Sequence, residues 1–422
     1  MCSRSVCYTR STHVEVGQVM QVTELTRASN IIIWNRWFLT CLGIWPTKVN
    51  QFLFLVFIGY MITYSIMAVN HLINHINYPE HVVANLAANI LLVMILGKMC
   101  VCRRSCGIMA DKFLKVIEKD FLTESYDSAQ EKTAYLRYNH IALLFVKLSM
   151  TMTSTAATLY YCKVFFINWN TMVSGNFTFD ELPYPVDPFF EVKDSSTYTY
   201  VCIYLALAVP LIICGYCAPD AYVLSMTFHI CGQLAALSCK IDILLKDREN
   251  YHRHISNIII RHHQLIALMT GIMWPCFNNA AHCRLAEILE NNFNLMFLQQ
   301  TLGTVFLLCL TIYHVLAMSE YGADINLITF ILYTGCVLST ILAYCYVGEC
   351  LINESAGLRE TFYNSEWYSK PPLYVKSVSI CMTRIEKPLI LTNGKFIPLS
   401  LNTFTSIVKT SMAYLSMLRN FM

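Results

Sequence analysis

The sequence predicts an all-α, polytopic membrane protein with seven transmembrane helices, a cytoplasmic N-terminus and an extracellular C-terminus. Three observations support this prediction: the composition, a series of long apolar runs, and the distribution of basic residues between those runs. Hydrophobic residues make up 56% of the 422 residues and charged residues only 14%, a balance that ordinary soluble domains do not have. The formal net charge of +3 gives no indication of a nucleic-acid partner. The hydrophobic composition instead indicates that membrane lipid surrounds the chain.

Seven segments are long enough to cross a bilayer. A helix needs about 20 residues to span a hydrocarbon core of about 30 Å, and six apolar runs reach that length. The seventh segment is equally long but amphipathic. We expect all seven to form a single transmembrane unit, with spans near 50–72, 80–101, 140–163, 199–220, 293–317, 326–348 and 398–421.

Lysine and arginine are concentrated on one side of these spans. They precede the first span and fill the connections between the second and third, the fourth and fifth, and the sixth and seventh spans. By the positive-inside rule those segments are cytoplasmic and the C-terminus is extracellular, the reverse of a G-protein-coupled receptor. The expected glycosylation site is Asn176, in an Asn-Phe-Thr triplet of an outer loop, whereas Asn353 falls on the cytoplasmic side.

The last predicted span is polar along one side. Apolar residues, among them Ile407, Met412 and Leu415, form the opposite side at helical spacing. A helix of this kind must turn its polar side toward water or protein inside the membrane. One such helix cannot enclose a pore, but several copies around an axis can. The polar side consists of Asn402, Thr403, Ser406, Lys409, Thr410, Ser416 and Asn420.

Aromatic and small polar residues gather toward the outer halves of several spans. A mostly apolar cavity with a few hydroxyl or amide groups is the usual site for a small organic ligand. The same residue types also mark membrane interfaces and join helices, so a structural role is the alternative for each. The candidate ligand-binding residues are Asn85, Asn89, Tyr160, Tyr161, Tyr204 and Tyr333.

Nothing in the sequence points to catalysis. It contains no catalytic constellation, phosphate-binding loop or nucleotide motif, and we expect no cofactor. No metal site is expected either, because the histidines at 252–254 and 262–263 lack a carboxylate or cysteine at ligand spacing. A secondary transporter is a further alternative, but it would need internal repeats and paired broken helices, and neither is recognisable here.

Four segments together form a family pattern. Three are short: Leu42–Pro46 (LGIWP), Leu182–Phe190 (LPYPVDPFF) in an outer loop, and Tyr363–Tyr368 (YNSEWY). The fourth, Arg384–Arg419, is the most specific. In these segments the chain resembles the insect odorant receptors, and specifically their ligand-tuning subunits. Together with seven spans of inverted topology, the resemblance covers essentially the whole chain.

The resemblance implies an odorant-gated, non-selective cation channel in the plasma membrane of olfactory sensory neuron dendrites. It implies a tetramer in which tuning subunits assemble with a co-receptor, bind a small volatile organic molecule and contribute their last helices to a central pore. Matching the family's pore-lining end onto this chain places Met417 and Phe421 at an apolar gate, with Asn420 as a polar contact. Packing between subunits would fall to cytoplasmic helical segments within 230–290 and 351–388.

The related gustatory receptors are an alternative. Their TYxxxxxQF ending corresponds here to Ala413-Tyr414 and Asn420-Phe421, so two of the four marked positions differ. The ending therefore favours the odorant receptors without removing the gustatory alternative.

Overall fold

The structure is a computed structural model that describes most of the chain. It covers residues 29–77, 79–109, 114, 126, 128–167, 182–190, 192, 194–244, 285–319, 325–364, 367–369, isolated positions between 372 and 383, and 388–420. We number eight α-helices within those ranges in chain order, and a 3-10 helix at Trp367–Ser369 follows the seventh. The helices are α1 (29–41), α2 (Gln51–Asn74), α3 (Pro79–Met109), α4 (Ala129–Ile167), α5 (Ser195–Leu244), α6 (Leu285–Ser319), α7 (Ile325–Asn364) and α8 (Leu401–Asn420).

Six of these helices, α2 to α7, are long and apolar enough to cross a membrane. They coincide with the six apolar runs of the sequence, and the predicted all-α membrane fold is confirmed. Helices α4, α5 and α7 contain 39, 50 and 40 residues, which at about 1.5 Å per residue is roughly twice the thickness of the hydrocarbon core or more. Their excess length extends on the side that the sequence predicts to be cytoplasmic.

The Leu42–Pro46 segment is a packed connection between α1 and α2. Trp45 is only 4% exposed. Gly43 has a φ of +72°, and its backbone oxygen accepts a hydrogen bond from the N–H of Asn50 at 3.0 Å. Asn50 in turn caps α2 by accepting from the N–H of Leu53 at 3.2 Å. Because a Cβ at position 43 would overlap the backbone of Asn50, this turn requires glycine.

Small residues let α3 and α6 approach closely. A Cβ added at Gly97 would overlap the side-chain amide of Gln299, and one added at Gly303 would overlap Met94. The Gln299 amide donates to the backbone oxygen of Val93 at 2.9 Å. Glycine at helix contacts is typical of packing in membranes, where close backbone approach replaces the hydrophobic effect as the driving force. These contacts position α3 beside α6.

A two-stranded antiparallel hairpin leads the chain into α8. Its strands are β1 (Thr392–Asn393) and β2 (Ile397–Pro398). The two central residues of the turn have φ of +62° and +64°, as a type I′ turn requires. The side chain of Asn393 donates to Thr301 Oγ1 at 2.7 Å, which holds the hairpin on α6.

Candidate functional site

An apolar cavity lies inside the helical bundle, at the end where loop 182–190 packs. Helices α2, α3, α4, α5 and α7 and the loop all contribute to its wall. Its volume is about 100 Å³, the same order as an engineered apolar cavity of about 150 Å³ that binds benzene. By the predicted orientation it lies in the outer half of the membrane. The lining residues are Tyr64, Ala84, Ala87, Ala88, Leu91, Leu92, Thr153, Ala156, Ala157, Tyr160, Tyr184, Ile212, Tyr216, Thr329, Phe330, Tyr333, Cys336 and Val337.

Small and aromatic residues give the cavity its shape. Alanines on α3 and α4 leave the space open, and aromatic rings close it. The ring of Tyr184, from the loop, stacks on Tyr160 with centroids 5.3 Å apart and meets Tyr64 edge-on at 5.9 Å. Each such pair contributes about 0.5–1.5 kcal/mol beyond the burial of its area. The loop is therefore part of the cavity wall.

The hydroxyl group of Tyr333 is an unpaired polar group in this wall. It is buried and has no hydrogen-bond partner in the part of the chain that the structure describes. Leaving a buried hydroxyl unpaired costs about 1–3 kcal/mol. A molecule that placed a hydrogen-bonding group beside this hydroxyl would remove the cost.

The structure places two of the four predicted tyrosines in the wall. Tyr160 and Tyr333 line the cavity, whereas Tyr161 and Tyr204 lie outside its lining. The hydroxyl of Tyr161 donates to the backbone oxygen of Cys202 at 2.9 Å, and the hydroxyl of Tyr204 forms a hydrogen bond to α2. Tyr161 and Tyr204 therefore join helices in the structure, and direct ligand contact by any of the four stays a prediction.

The two predicted asparagines also lie outside the cavity lining. Asn85 is fully buried and donates to the backbone oxygen of Pro185 at 2.9 Å. Asn89 donates to the side-chain oxygen of Asn85. The pair thus connects α3 to loop 182–190, which closes the cavity, and ligand contact by either asparagine stays a prediction.

Three tyrosines of the wall were missed by sequence reasoning: Tyr64, Tyr184 and Tyr216. The lining alanines were missed as well, because an alanine within an apolar run carries no signal that distinguishes a cavity from a helix contact. Tyr184 had a usable signal, since it lies in the proline-rich outer loop that contributes to the family pattern. Tyr64 and Tyr216 could be placed only by the packing of α2 and α5.

A buried charged network lies beneath the cavity, on its predicted cytoplasmic side. Tyr216, in the cavity wall, has its ring 4.0 Å from Lys98 Nζ. Lys98 donates to Asp220 Oδ2 at 2.7 Å, and the two side chains are 0% and 4% exposed. The hydroxyl of Tyr344 donates to the other carboxylate oxygen of Asp220 at 2.7 Å. The network therefore joins α3, α5 and α7 through charges that are costly to separate inside a membrane.

Helix α7 continues from this network to the start of α8. Gly348, one turn after Tyr344, lies against the backbone oxygen of Leu399 with no room for a Cβ. The carboxylate of Glu349 accepts a hydrogen bond from the N–H of Leu401 at 3.3 Å. A displacement of α7 would therefore reach the first turn of α8 directly.

Helix α8 is held to the bundle by one narrow stripe. Thr403, Ile407, Ser411 and Leu415 are at most 9% exposed, lie four residues apart, and pack toward α6 and α7. Because the stripe runs most of the length of the helix, α8 packs lengthwise on the bundle. Among residues 401–417, Phe404 and Val408 are half-buried and the rest of the helix surface is open in this subunit. The exposed residues are Leu401, Asn402, Thr405, Ser406, Lys409, Thr410, Met412, Ala413, Tyr414, Ser416 and Met417.

The predicted polar side of this helix is wrong at Thr403. That residue is buried, and its hydroxyl donates to the backbone oxygen of Pro398 at 2.6 Å, so its polarity is satisfied within its own chain. Met417 is 56% exposed. The side chain of Asn420, and the whole of Phe421, lie outside the described residues. The gate assignment therefore stays a prediction.

Two further predictions fall outside the described residues. Asn176, the expected glycosylation site, lies in the undescribed range 168–181, and much of the segment predicted to project between α5 and α6 lies in 245–284. Within the described ranges, α5 continues to Leu244 and α6 begins at Leu285. Both ends agree with helices that extend beyond the membrane.

Comparison with known proteins identifies a family whose sequences match this chain and a solved structure whose fold it shares. Residues 85–412 match the family model described as 7tm Odorant receptor. Odorant receptor 22c of Drosophila melanogaster is 22% identical over 298 residues, which cover 67% of this chain and 68% of that protein. Odorant receptor 2a of the same species is 22% identical over 226 residues, 53% of this chain and 56% of that protein.

The fold is also similar to that of a solved receptor. The structure of the insect olfactory receptor OR5 from Machilis hrabei in complex with eugenol matches with a TM-score of 0.70 at 15% identity, covering 95% of this chain and 100% of that one. A second structure of OR5 gives a TM-score of 0.72 over 94% of this chain. The fold is thus that of a seven-transmembrane, all-α protein, with α8 as the seventh span.

Proposed function

This chain belongs to the odorant receptor family, and we propose that it is the ligand-tuning subunit of an odorant-gated, non-selective cation channel. It is a multi-pass membrane protein, and the proposed location is the plasma membrane of olfactory sensory neurons. The observation that carries the proposal is a continuous path of contacts. It runs from the apolar cavity through the buried charged network and α7 to a helix with an open amphipathic surface.

The proposed ligand is a small, volatile organic molecule that carries an oxygen atom. The cavity supports this size, at about 100 Å³, and its wall is mostly apolar, as volatile molecules require. The unpaired hydroxyl of Tyr333 supports a hydrogen-bonding group on the ligand. The OR5 receptor, which shares the fold, was solved in complex with eugenol.

The proposed pore is formed by α8 from several subunits, with Met417, Asn420 and Phe421 at its outer constriction. The support is the open surface of α8, because the exposed side chains of Asn402 and Lys409 are poorly suited to lipid and favour protein or water beside this surface. Copies arranged around an axis supply both. Lys409 then faces a subunit interface or a wide hydrated vestibule, because its positive charge would repel cations from a narrow constriction.

The proposed assembly is a heterotetramer with a co-receptor subunit. The cytoplasmic helical segments within 230–290 and 351–388 would supply the contacts between subunits. The exposed side chains of Tyr363 and Tyr368, at 68% and 71%, support such contacts, because large apolar surface at the end of a projecting helix is typical of protein interfaces.

Ligand binding opens the channel only by the difference in its affinity for the open and closed states. Moving a channel from 1% to 99% open takes about 5.5 kcal/mol, summed over the occupied sites. We propose that the ligand shifts Tyr216 and Tyr333 in the wall, that the network around Asp220 passes the shift to α7, and that α7 moves the start of α8.

The test is current recording from cells that express this chain with and without a co-receptor, during exposure to a broad panel of volatiles. We expect ligand-evoked cation currents only in cells that express both subunits. Absence of current with both subunits at the cell surface, together with a G-protein response, would favour the receptor class of opposite topology. Responses to dissolved tastants alone would favour the gustatory alternative.

A further inference from the structure

Three metal-ligating side chains converge where loop 182–190 meets the outer end of α2. His71 lies in the last turn of α2, and His75 is the residue that caps this helix. Asp187 comes from the loop. One ligand atom of each residue lies within 4.8 Å of those of the other two. The side chains belong to neither the cavity lining nor the charged network.

The chemistry of the three groups is that of a zinc site. Imidazole nitrogen and carboxylate oxygen bind Zn²⁺ at about 2.0–2.2 Å in tetrahedral geometry, which puts ligand atoms about 3.3 Å apart. The gap that remains to be closed between ligand atoms is therefore at most about 1.5 Å. All three residues are partly exposed, so an ion can reach them from solution. A fourth position is left for water, as in other open zinc sites.

Neighbouring groups already orient the three side chains. The rings of His71 and His75 are stacked with centroids 4.2 Å apart, and His75 Nδ1 lies 3.1 Å from the backbone oxygen of His71. Asn74 donates to Asp187 Oδ2 at 2.8 Å, and the amide of Asn85 lies 3.1 Å from His71 Nδ1. The partners of His75 and Asp187 fix those two ligands before the ion arrives, whereas the Asn85 amide donates to His71 and must move when His71 binds the ion.

We propose that His71, His75 and Asp187 bind a Zn²⁺ ion that ties loop 182–190 to α2. The backbone N–H of Asp187 already donates to the oxygen of Met67 on α2 at 3.1 Å, so the ion strengthens an existing contact. Tyr184, three residues before Asp187, closes the cavity. On the basis of the proposed function, the bound ion therefore slows ligand entry and exit by holding that closure in place.

Direct binding tests the site without any current. The full-length chain is purified in detergent and titrated with Zn²⁺ against a chromogenic chelator. We expect the wild type to bind about one Zn²⁺ per chain at this site. The Asp187→Ala variant should bind that ion more weakly. The control is His140→Ala, an exposed histidine on α4, which should bind like the wild type.

A second variant separates metal binding from folding. Asp187→Cys loses the hydrogen bond with Asn74 as Asp187→Ala does, but its thiolate is a zinc ligand. We expect Asp187→Cys to bind Zn²⁺ at least as tightly as the wild type. Equal zinc binding by the wild type and Asp187→Ala, or by Asp187→Cys and Asp187→Ala, would overturn the proposal.

The effect on ligand exchange is measured separately in cells that express the assembled channel. Micromolar Zn²⁺ should slow the onset and decay of ligand-evoked currents at least twofold in the wild type and leave Asp187→Ala unchanged. Unchanged kinetics in a wild type that binds the ion would overturn the closure effect, while the binding measurement decides the site. Failure of the proposed function is recognised by the absence of currents in any condition.

Discussion

Gly348 of α7 and Leu399, two residues before α8, are in backbone contact with no space for a Cβ between them. Helix α7 also carries Tyr333 in the cavity wall and Tyr344 in the charged network. One helix therefore contacts the apolar cavity, the buried ion pair and the start of the proposed pore helix. This arrangement makes α7 the element through which a change in the cavity can reach α8.

Replacing Gly348 with alanine should disturb gating. The added Cβ overlaps the backbone of Leu399, and relief of such overpacking typically costs about 1–3 kcal/mol. We expect a severalfold change in basal or maximal ligand-evoked current at normal surface expression. The control is Gly59→Ala, on α2, where an added Cβ meets nothing within 4 Å. Identical currents in the two variants would contradict the role of this contact.

Replacing Tyr333 with phenylalanine should change ligand selectivity. The variant removes the unpaired hydroxyl of the cavity wall, so ligands that bond to it lose about 0.5–1.5 kcal/mol, or roughly 2- to 13-fold in potency. Hydrocarbon ligands should lose nothing. Dose–response curves for matched oxygenated and hydrocarbon volatiles measure the difference. Tyr161→Phe is the control, because Tyr161 lies outside the lining and should leave the ratio of potencies unchanged.

Breaking the Lys98–Asp220 pair should destabilise the protein. Both side chains are almost fully buried, and removing one partner leaves an uncompensated charge at a cost of about 3–5 kcal/mol. Lys98→Met or Asp220→Leu alone should therefore lower the midpoint of thermal unfolding in detergent. The double variant should lose much less than the sum of the two. Additive losses would show that the two charges do not stabilise each other.

The open surface of α8 should be accessible from water in the assembled channel. Met417 is 56% exposed in this subunit, whereas Leu415 is 9% exposed. A water-soluble thiol reagent should block current through a Met417→Cys channel and leave Leu415→Cys unaffected. The parent chain must be run beside them, because it contains its own cysteines. Equal block of both variants would remove the assignment of this surface to the pore.

The predicted orientation can be tested by glycosylation. Asn176 lies in a predicted outer loop and Asn353 on the exposed surface of the predicted cytoplasmic extension of α7. Glycosylation occurs only on the outer side, so Asn176→Gln should abolish the shift in gel mobility that a glycosidase produces. Asn353→Gln should leave that shift intact. The opposite result would invert the topology and favour a G-protein-coupled receptor.

The sequence predicted the parts of the fold that depend on local composition. The bilayer requires long apolar helices, and their runs are readable one segment at a time. The amphipathic character of α8 was readable for the same reason, although Thr403 was misplaced. Its hydroxyl bonds to Pro398, and helical spacing alone does not reveal whether a polar side chain is satisfied within its own chain.

The sequence by itself determined that this chain is a polytopic, all-α membrane protein whose last helix is polar on one side, because hydropathy and helical spacing are properties of consecutive residues. Only the tertiary structure decided which tyrosines form the cavity, that Lys98 meets Asp220, and that Asp187 reaches His71 and His75. The physical reason is the separation of these residues along the sequence. Each of these contacts joins segments far apart in the chain, and their meeting depends on how the helices pack rather than on any pattern within one of them.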